Sequence, residues 1–446
     1  MRYVRRFAAL TIALAMIVAA FLFWPGPETD TAPTTGADPQ PVRILLAAVG
    51  DLLMHMPVVN SAYDRDTGSY DFSGIFAPVT SCLCCADYTI ANLETRLAGP
   101  ARGYHGYPLF NTPAELARDL REAGIDLLAT ANNHSLDMGW DGVVKTLDNI
   151  EAAGLAHVGT YRTPTEKATP FIADVRGIKL AFLNYTATTN GLPVPPGKEF
   201  AVNLLDPATV IAEADTARKL GADLVVAVLH FGLEYQRLPG EDQRRLAHEL
   251  CASGVDVIIG SHPHVVQPIE RVTVQRGGQP YTCVIAYSLG NFISNQRWRY
   301  SDSGIILYLE IEKTDEGTFV RGVSYLPVWV QKRMNGTRCE YRVLPVHPDV
   351  SSAARNQLLP EEQRRLAEVW EEVTTHLSNP AAGILPYGTP AATDCQDGRS
   401  PVKYETFYKS RDNGRPGTSQ PAAPRPASYG RCTGMGWEQP GAGGTR

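Results

Sequence analysis

From residue 43 to residue 311, short apolar runs alternate with helix-competent segments, and run after run ends in a residue able to bind a metal ion. Arg43–Val49 leads into Gly50 and Asp51, and Tyr88–Ala91 leads into Asn92, Leu93 and Glu94. Ile125–Thr130 leads into Asn132, Asn133 and His134, and Asp223–Leu229 leads into His230. Val255–Ile259 is broken by Gly260 and Ser261 before His262 and His264, with Pro263 fixing the backbone between the two imidazoles. Apolar runs of this length, bounded by Gly and polar residues, read as buried strands, as do Ile178–Tyr185, Val284–Leu289 and Ile305–Ile311.

The segments between them carry helix signals. Thr112 suits an N-cap, Pro113 the first helical position and Glu115 the third position of a capping box, for a helix ending at Gly124. A second helix is expected over about Asp141 to Ala153, closed by Gly154. Asp206 and Pro207 open a third that stops at Gly221, and Glu241–Ser253 forms a fourth that stops at Gly254. Strands alternating with capped helices predict an α/β fold, in which ligands bind beyond the carboxyl ends of the strands. A carboxylate or imidazole at each of five strand tips is costly to bury unless the groups share a partner.

Asp51, Glu94, Asn133, His230, His262 and His264 form a mixed oxygen and nitrogen ligand set, suited to Mn, Fe, Zn or Co rather than to a thiolate-bound zinc. Six ligands exceed what one tetrahedral ion needs. Two divalent ions about 3.5–4 Å apart would use them all, polarise an acyl or phosphoryl oxygen and make hydroxide available near neutral pH. His134, beside a candidate ligand, is placed to act as the general acid for a leaving group. His55 is open to two readings, a further ligand or a pocket residue. His105 lies in a loop able to cover the site, Glu234 and Tyr235 can line its mouth, and Arg96 reads as a solvated surface arginine in preference to an anion holder. His157, His248, His347 and His376 are assigned no role.

With 446 residues the chain has room for two average domains or one large domain with appendages, and its net charge of −6 is mild and interspersed. No cluster of Lys and Arg suggests a nucleic-acid surface. Arg2, Arg5 and Arg6 precede an apolar run from Phe7 to Trp24, about 27 Å as a helix and close to the ~30 Å hydrocarbon core of a bilayer. Residues 1–27 therefore read as a single-pass anchor in the cytoplasmic membrane, arginines inside and the bulk of the chain outside the cytoplasm. A cleaved signal peptide is the rival reading, against which Phe21, Phe23 and Trp24 stand where small residues would be expected. Residues 28–41 read as a flexible tether, 42–348 as the globular domain, 349–378 as a helical extension and 379–446 as a disordered tail rich in Pro and Gly. Eight cysteines leave the disulfide pattern open, and Cys82, Cys84 and Cys85 lack zinc-site spacing, which leaves buried thiols or a local disulfide.

Six blocks together resemble the poly-gamma-glutamate capsule-synthesis (CapA-type) family: GD at Gly50–Asp51, NLE at Asn92–Glu94, ANNHSLDMG at Ala131–Gly139, HFGLEY at His230–Tyr235, GSHPHVVQP at Gly260–Pro268 and YSLGNF at Tyr287–Phe292. They appear in the family's order and cover roughly Arg43 to Tyr308. The family is related to calcineurin-like metallophosphoesterases. The resemblance therefore implies a four-layer α/β/β/α sandwich with a dinuclear metal site between the loops at the strand ends. It implies that Asp51 is the first metal-binding aspartate, that Glu94 stands at the bridging position, and that Asn133 binds metal while His134 is the catalytic acid. His230 matches the lone histidine, and His262 and His264 match the paired histidines of the last motif. Leu53 removes the usual D-x-H start, and Glu replaces Asp at the bridge.

Three functional readings follow. The first is an extracytoplasmic metal-dependent hydrolase or transferase acting on poly-gamma-glutamate or a related cell-surface polymer, alongside membrane subunits of a capsule synthase. The second is a general metallophosphoesterase, and the third a non-catalytic subunit that binds or exports the polymer. The intact His134 speaks against the third.

Overall fold

A computed structural model describes residues 40–348 and 357–387. The expected anchor, nearly all of the tether and the chain beyond residue 387 lie outside the described residues. Among the described residues no helix is long and apolar enough to cross a membrane.

The first four strands, β1 (Val42–Leu52), β2 (Tyr88–Asn92), β3 (Leu127–Ala129) and β4 (Ala156–Val158), lie parallel side by side. The next six, β5 (Phe171–Val175), β6 (Ile178–Thr186), β7 (Leu224–His230), β8 (Val257–Ser261), β9 (Ile269–Arg276) and β10 (Gln279–Ala286), form a second sheet in the order β5-β6-β7-β8-β10-β9. The chain then returns to the first sheet with β11 (Asn291–Ile293), β12 (Ser303–Thr314), β13 (Gly317–Asn335), β14 (Arg338–Pro345) and β15 (Ile384–Pro386). That sheet runs β14-β13-β12-β1-β2-β3-β4, with β11 against β1 and β15 against β13. The second sheet has a parallel centre flanked by antiparallel strands, and the first places the parallel β1 to β4 beside the antiparallel β12 to β14, so several carboxyl ends open on one edge of each.

Among the described residues five helices reach nine residues or more: α1 (Glu115–Ala123), α2 (Gly139–Ala152), α3 (Pro207–Lys219), α4 (Glu241–Ala252) and α5 (Pro360–Leu377). The second sheet sorts its side chains by pleat. Leu180, Phe182, Val226, Val228, Val257 and Ile259 join the core that also contains the first sheet. The alternate residues Ala181, Leu183, Val225, Ala227 and Ile258 pack with Val210, Ala214 and Ala217 of α3 and Ala247, Leu250 and Cys251 of α4. Those helical spacings are the apolar stripe of a helix lying on a sheet.

The expected strands and helices are present with shifted ends, and three differences have physical causes. Thr112 does not cap α1; its hydroxyl is bonded to the Thr95 hydroxyl at 2.7 Å, and the helix begins from Ala114. The 19-residue β13 carries Gly317, Gly322 and Pro327, breakers that mask a strand in sequence. The tail does not begin at residue 379: the Asn379 side chain caps a short 3-10 turn over Pro380–Ala382, β15 pairs with β13, and Tyr387 N–H donates to Tyr325 O at 2.8 Å.

The disulfide pattern becomes partly visible. Cys251 of α4 is bonded to Cys283 of β10, while Cys82 and Cys84 are free thiols. Cys82 is the buried thiol expected of the trio Cys82, Cys84 and Cys85, and burial pushes its pKa up.

Candidate metal centre

Two glycines let the strand ends meet. A Cβ on Gly50 would lie 1.8 Å from Gly290 O, and one on Gly260 would lie 1.9 Å from Tyr287 O. Each is followed by a polar residue that the close approach carries inward, Asp51 at the end of β1 and Ser261 at the end of β8. After Ser261 the chain makes a tight reversal in which His262 (φ 99°) and His264 (φ 57°) both take left-handed backbone. Such conformations cost about 1–3 kcal/mol each and persist where the surroundings enforce them. Here Tyr235 N–H donates to Pro263 O at 2.8 Å, and Val266 bridges to Leu289.

Asp51, Glu94, Asn133, His230, His262 and His264 converge. Glu94 lies at the centre, fully buried, its Oε1 3.5 Å from His230 Nε2 and 3.8 Å from His264 Nε2. Two sets of potential ligand atoms are each gathered within 4.8 Å, one from Asp51, Glu94 and His230 and one from Glu94, His262 and His264. Glu94 belongs to both. Asn133 joins through its Oδ1, which accepts from His230 Nε2 at 3.0 Å.

The surrounding polar groups orient these side chains. Asn92, the last residue of β2, donates to Asp51 Oδ1 at 2.8 Å. Ser261 Oγ lies 2.9 Å from His230 Nδ1, which turns Nε2 toward Asn133 and Glu94. The Nδ1–H of His264 is shared between Asp51 Oδ2 and Asn291 Oδ1, each at 3.1 Å. His134 stands beside the cluster with its Nδ1–H donating to the buried carboxylate of Asp137 at 2.7 Å. Asp137 also accepts Phe110 N–H at 2.7 Å, and the Phe110 ring meets His134 and His55 edge-on. Asn92, Asp137, Ser261 and Asn291 were not singled out in sequence, although each adjoins or lies within a quoted block. Asp137 had a usable signal: it stands three residues after His134, the spacing of one helical turn.

Neither oxygen of Glu94 has a hydrogen-bond partner, and neither does His262 Nδ1. Burial and the neighbouring Asp51 hold Glu94 well above the usual carboxylate range. Burial, with His262 and His264 nearby, pushes His230 well below the usual imidazole range. Burial and then His264 push His262 down to about 4. For His264 burial acts the same way, but Glu94 and Asp51 outweigh it and push its pKa up to about 9. A buried carboxylate without a hydrogen-bond partner, beside two imidazoles, His230 and His262, that resist protonation, is a poor protein core and a good cation site. The oxygen and nitrogen donors fit a divalent transition ion.

Other expectations change. His55 belongs to neither ligand set; its Nδ1 lies 3.2 Å from Leu53 O and 3.3 Å from Asn295 N. Arg96 is not a solvated surface arginine. It is fully buried and donates to the carbonyls of Leu93 and Thr130, tying together the segments after β2 and β3. The loop carrying His105 does reach the site, but through Phe110; His105 is exposed and bonded to Arg102 O at 2.7 Å. Tyr235 lies at the mouth, its ring 6.1 Å from that of His264, with the exposed Glu234 beside it.

Comparison with known proteins adds an independent finding. The family model described as bacterial capsule synthesis protein PGA_cap matches residues 45–296. The chain is 30% identical to the PGA biosynthesis protein CapA of Bacillus subtilis over 70% of this chain and 78% of that protein. It is 27% identical to the capsule biosynthesis protein CapA of Bacillus anthracis over 72% of this chain and 76% of that one. Among solved structures it is similar to the calcineurin-like phosphoesterase YfkN from Bacillus subtilis, with a TM-score of 0.39 and 16% identity, covering 74% of this chain and 99% of that chain.

Proposed function

The chain belongs to the bacterial capsule synthesis protein PGA_cap family, and from that premise we propose that it is a membrane-anchored, extracytoplasmic hydrolase or transferase, dependent on two divalent metal ions, that acts on poly-gamma-glutamate or a related cell-surface polymer. The observation that carries this reading is Glu94: buried, without a hydrogen-bond partner, and common to both ligand sets. A carboxylate shared by both sets would help to hold two ions. Asp51, His230 and Asn133 would hold one, and His262 and His264 the other. When bound, such ions supply Lewis acidity to an acyl or phosphoryl oxygen and lower the pKa of water.

The chain's own residues supply the rest. Asp137 fixes the ring of His134 through Nδ1, which aims Nε2 to donate a proton to the leaving nitrogen as a water oxygen bonds to the acyl carbon and the amide C–N bond breaks. Phe110 walls the ring against water. The location outside the cytoplasm is supported by the disulfide between Cys251 and Cys283, a bond that persists in oxidising compartments. The four-layer arrangement is supported by the two cores on opposite faces of the second sheet. Membrane subunits of a capsule synthase are the partners this placement calls for.

Elemental analysis of the full-length chain tests the reading. Two transition-metal ions per chain in the wild type, lost in His262→Ala/His264→Ala, are expected. Turnover of poly-gamma-glutamate should then fall in His134→Ala at unchanged metal content. A protein that takes up none of Mn, Fe, Co or Zn overturns it, and turnover confined to phosphate esters selects the phosphoesterase reading instead.

A further inference from the structure

A groove of about 890 Å3 lies beside the metal centre, at the upper end of the about 300–1,000 Å3 usual for ligand pockets. Both segments that form one of its walls start at the centre. Residues 235–237 follow His230, and residues 296–302 follow Asn291, which holds His264. The path is short: the Tyr235 ring lies 6.1 Å from His264 and 6.4 Å from Trp298, and Gln296 donates to the Tyr235 hydroxyl at 3.1 Å.

The charges of this groove are unequally matched. On the wall formed by α5, Arg365 pairs with Asp302, Glu368 and Glu372 at 2.8–3.2 Å. That leaves Glu371 as the one acidic lining residue without an ion pair among the described residues. On the opposite wall Arg237 and Arg297 have no carboxylate within ion-pair distance among the described residues. Arg237 stacks 4.0 Å over Tyr300 and donates to the Glu372 carbonyl, while its Nε is buried without a partner. Arg297 donates to the carbonyls of Val330 and Ser294 and lies 5.5 Å over the Tyr341 ring. Arg299 is mostly exposed and reaches Glu372 at 3.4 Å. Guanidinium groups held in place by carbonyls and a ring, with donors left over, are built to receive carboxylates.

We propose that this groove holds an extended, carboxylate-bearing chain through Arg237 and Arg297 and leads it past Trp298 and Tyr235 into the metal centre. The inference rests on the activity proposed above and assigns it a polymer-binding subsite.

The test is fluorescence anisotropy with a labelled γ-linked glutamate oligomer and the full-length chain, with metal content and thermal melting recorded for each variant. Arg237→Ala/Arg297→Ala should weaken binding by about tenfold or more, with Arg237→Lys/Arg297→Lys recovering part of the loss. Arg297→Ala, at an exposed position, is measured alone so that a folding defect at Arg237 does not decide the result; it should weaken binding by about threefold or more. Neutral polyglutamine should compete poorly. Binding unchanged in the arginine variants, or equal for polyglutamine, overturns the proposal. Binding lost in His262→Ala but not in the arginine variants also overturns it, while leaving the proposed activity standing. Arginine-dependent binding without turnover upholds the groove and removes the activity.

Discussion

At the scale of the residue, the site depends on side chains whose partners are far away in sequence. Asp137 touches no candidate metal ligand; it acts through His134, whose Nδ1–H it accepts. Asp137→Asn keeps the shape but no longer offers two acceptor oxygens to hold the His134 ring through Nδ1, so turnover should fall by about 10²–10⁴-fold with metal content unchanged. A fall in kcat at unchanged KM would mark a positioning role, and a variant that loses its metal would refute it. Away from the centre, Glu213 accepts from the Tyr185 hydroxyl, and burial raises its pKa above the ordinary value. A carboxyl whose folded pKa lies above its unfolded one contributes stability below the unfolded pKa, and that contribution is lost as pH rises through the folded pKa. Melting temperature should therefore decline from acid toward neutral pH more steeply in the wild type than in Glu213→Gln. Parallel pH curves for the two proteins would assign the decline to other groups.

At the scale of the element, strand ends matter more than strand interiors. β1 and β8 each end in a glycine–polar pair, and a side chain on either glycine would strike a backbone carbonyl rather than a movable side chain. Gly260→Ala should cost about 1–3 kcal/mol, the usual penalty for overpacking, and should loosen metal binding because Ser261 and His262 follow directly. Urea denaturation with an unchanged m-value and a lowered midpoint is the expected result. The helices show the converse. α3 is capped as its sequence suggests, with Asp206 accepting from Thr209 N–H, whereas the Thr112 cap of α1 gives way to a tertiary bond with Thr95. A capping motif states what is locally available, and a buried hydroxyl takes the stronger offer.

At the scale of the whole molecule, the two sheets share one core, and the disulfide between α4 and β10 pins the second sheet's outer layer. It closes a loop with a sequence separation of 32 residues. By the loop-entropy argument Cys251→Ala/Cys283→Ala should cost about 3–4 kcal/mol. The same loss should appear on reduction of the wild type, and equal melting temperatures with and without reductant would show that the bond contributes nothing. The groove belongs to this scale too, because α5 reaches it from the far end of the chain.

The sequence by itself determined the α/β class and the residues gathered at the centre. Period-2 and period-3.6 apolar patterns report burial locally, and a carboxylate or imidazole at a strand tip is visible without knowing its neighbours. Tertiary structure alone decided the rest. It placed Glu94 in both ligand sets, buried Arg96, turned His55 toward backbone groups and gave His134 its aspartate. It also paired β13 with β12 despite Gly and Pro and left Arg237 and Arg297 without counter-ions among the described residues. Each of these depends on which distant segment arrives, and burial patterns carry no address for a partner.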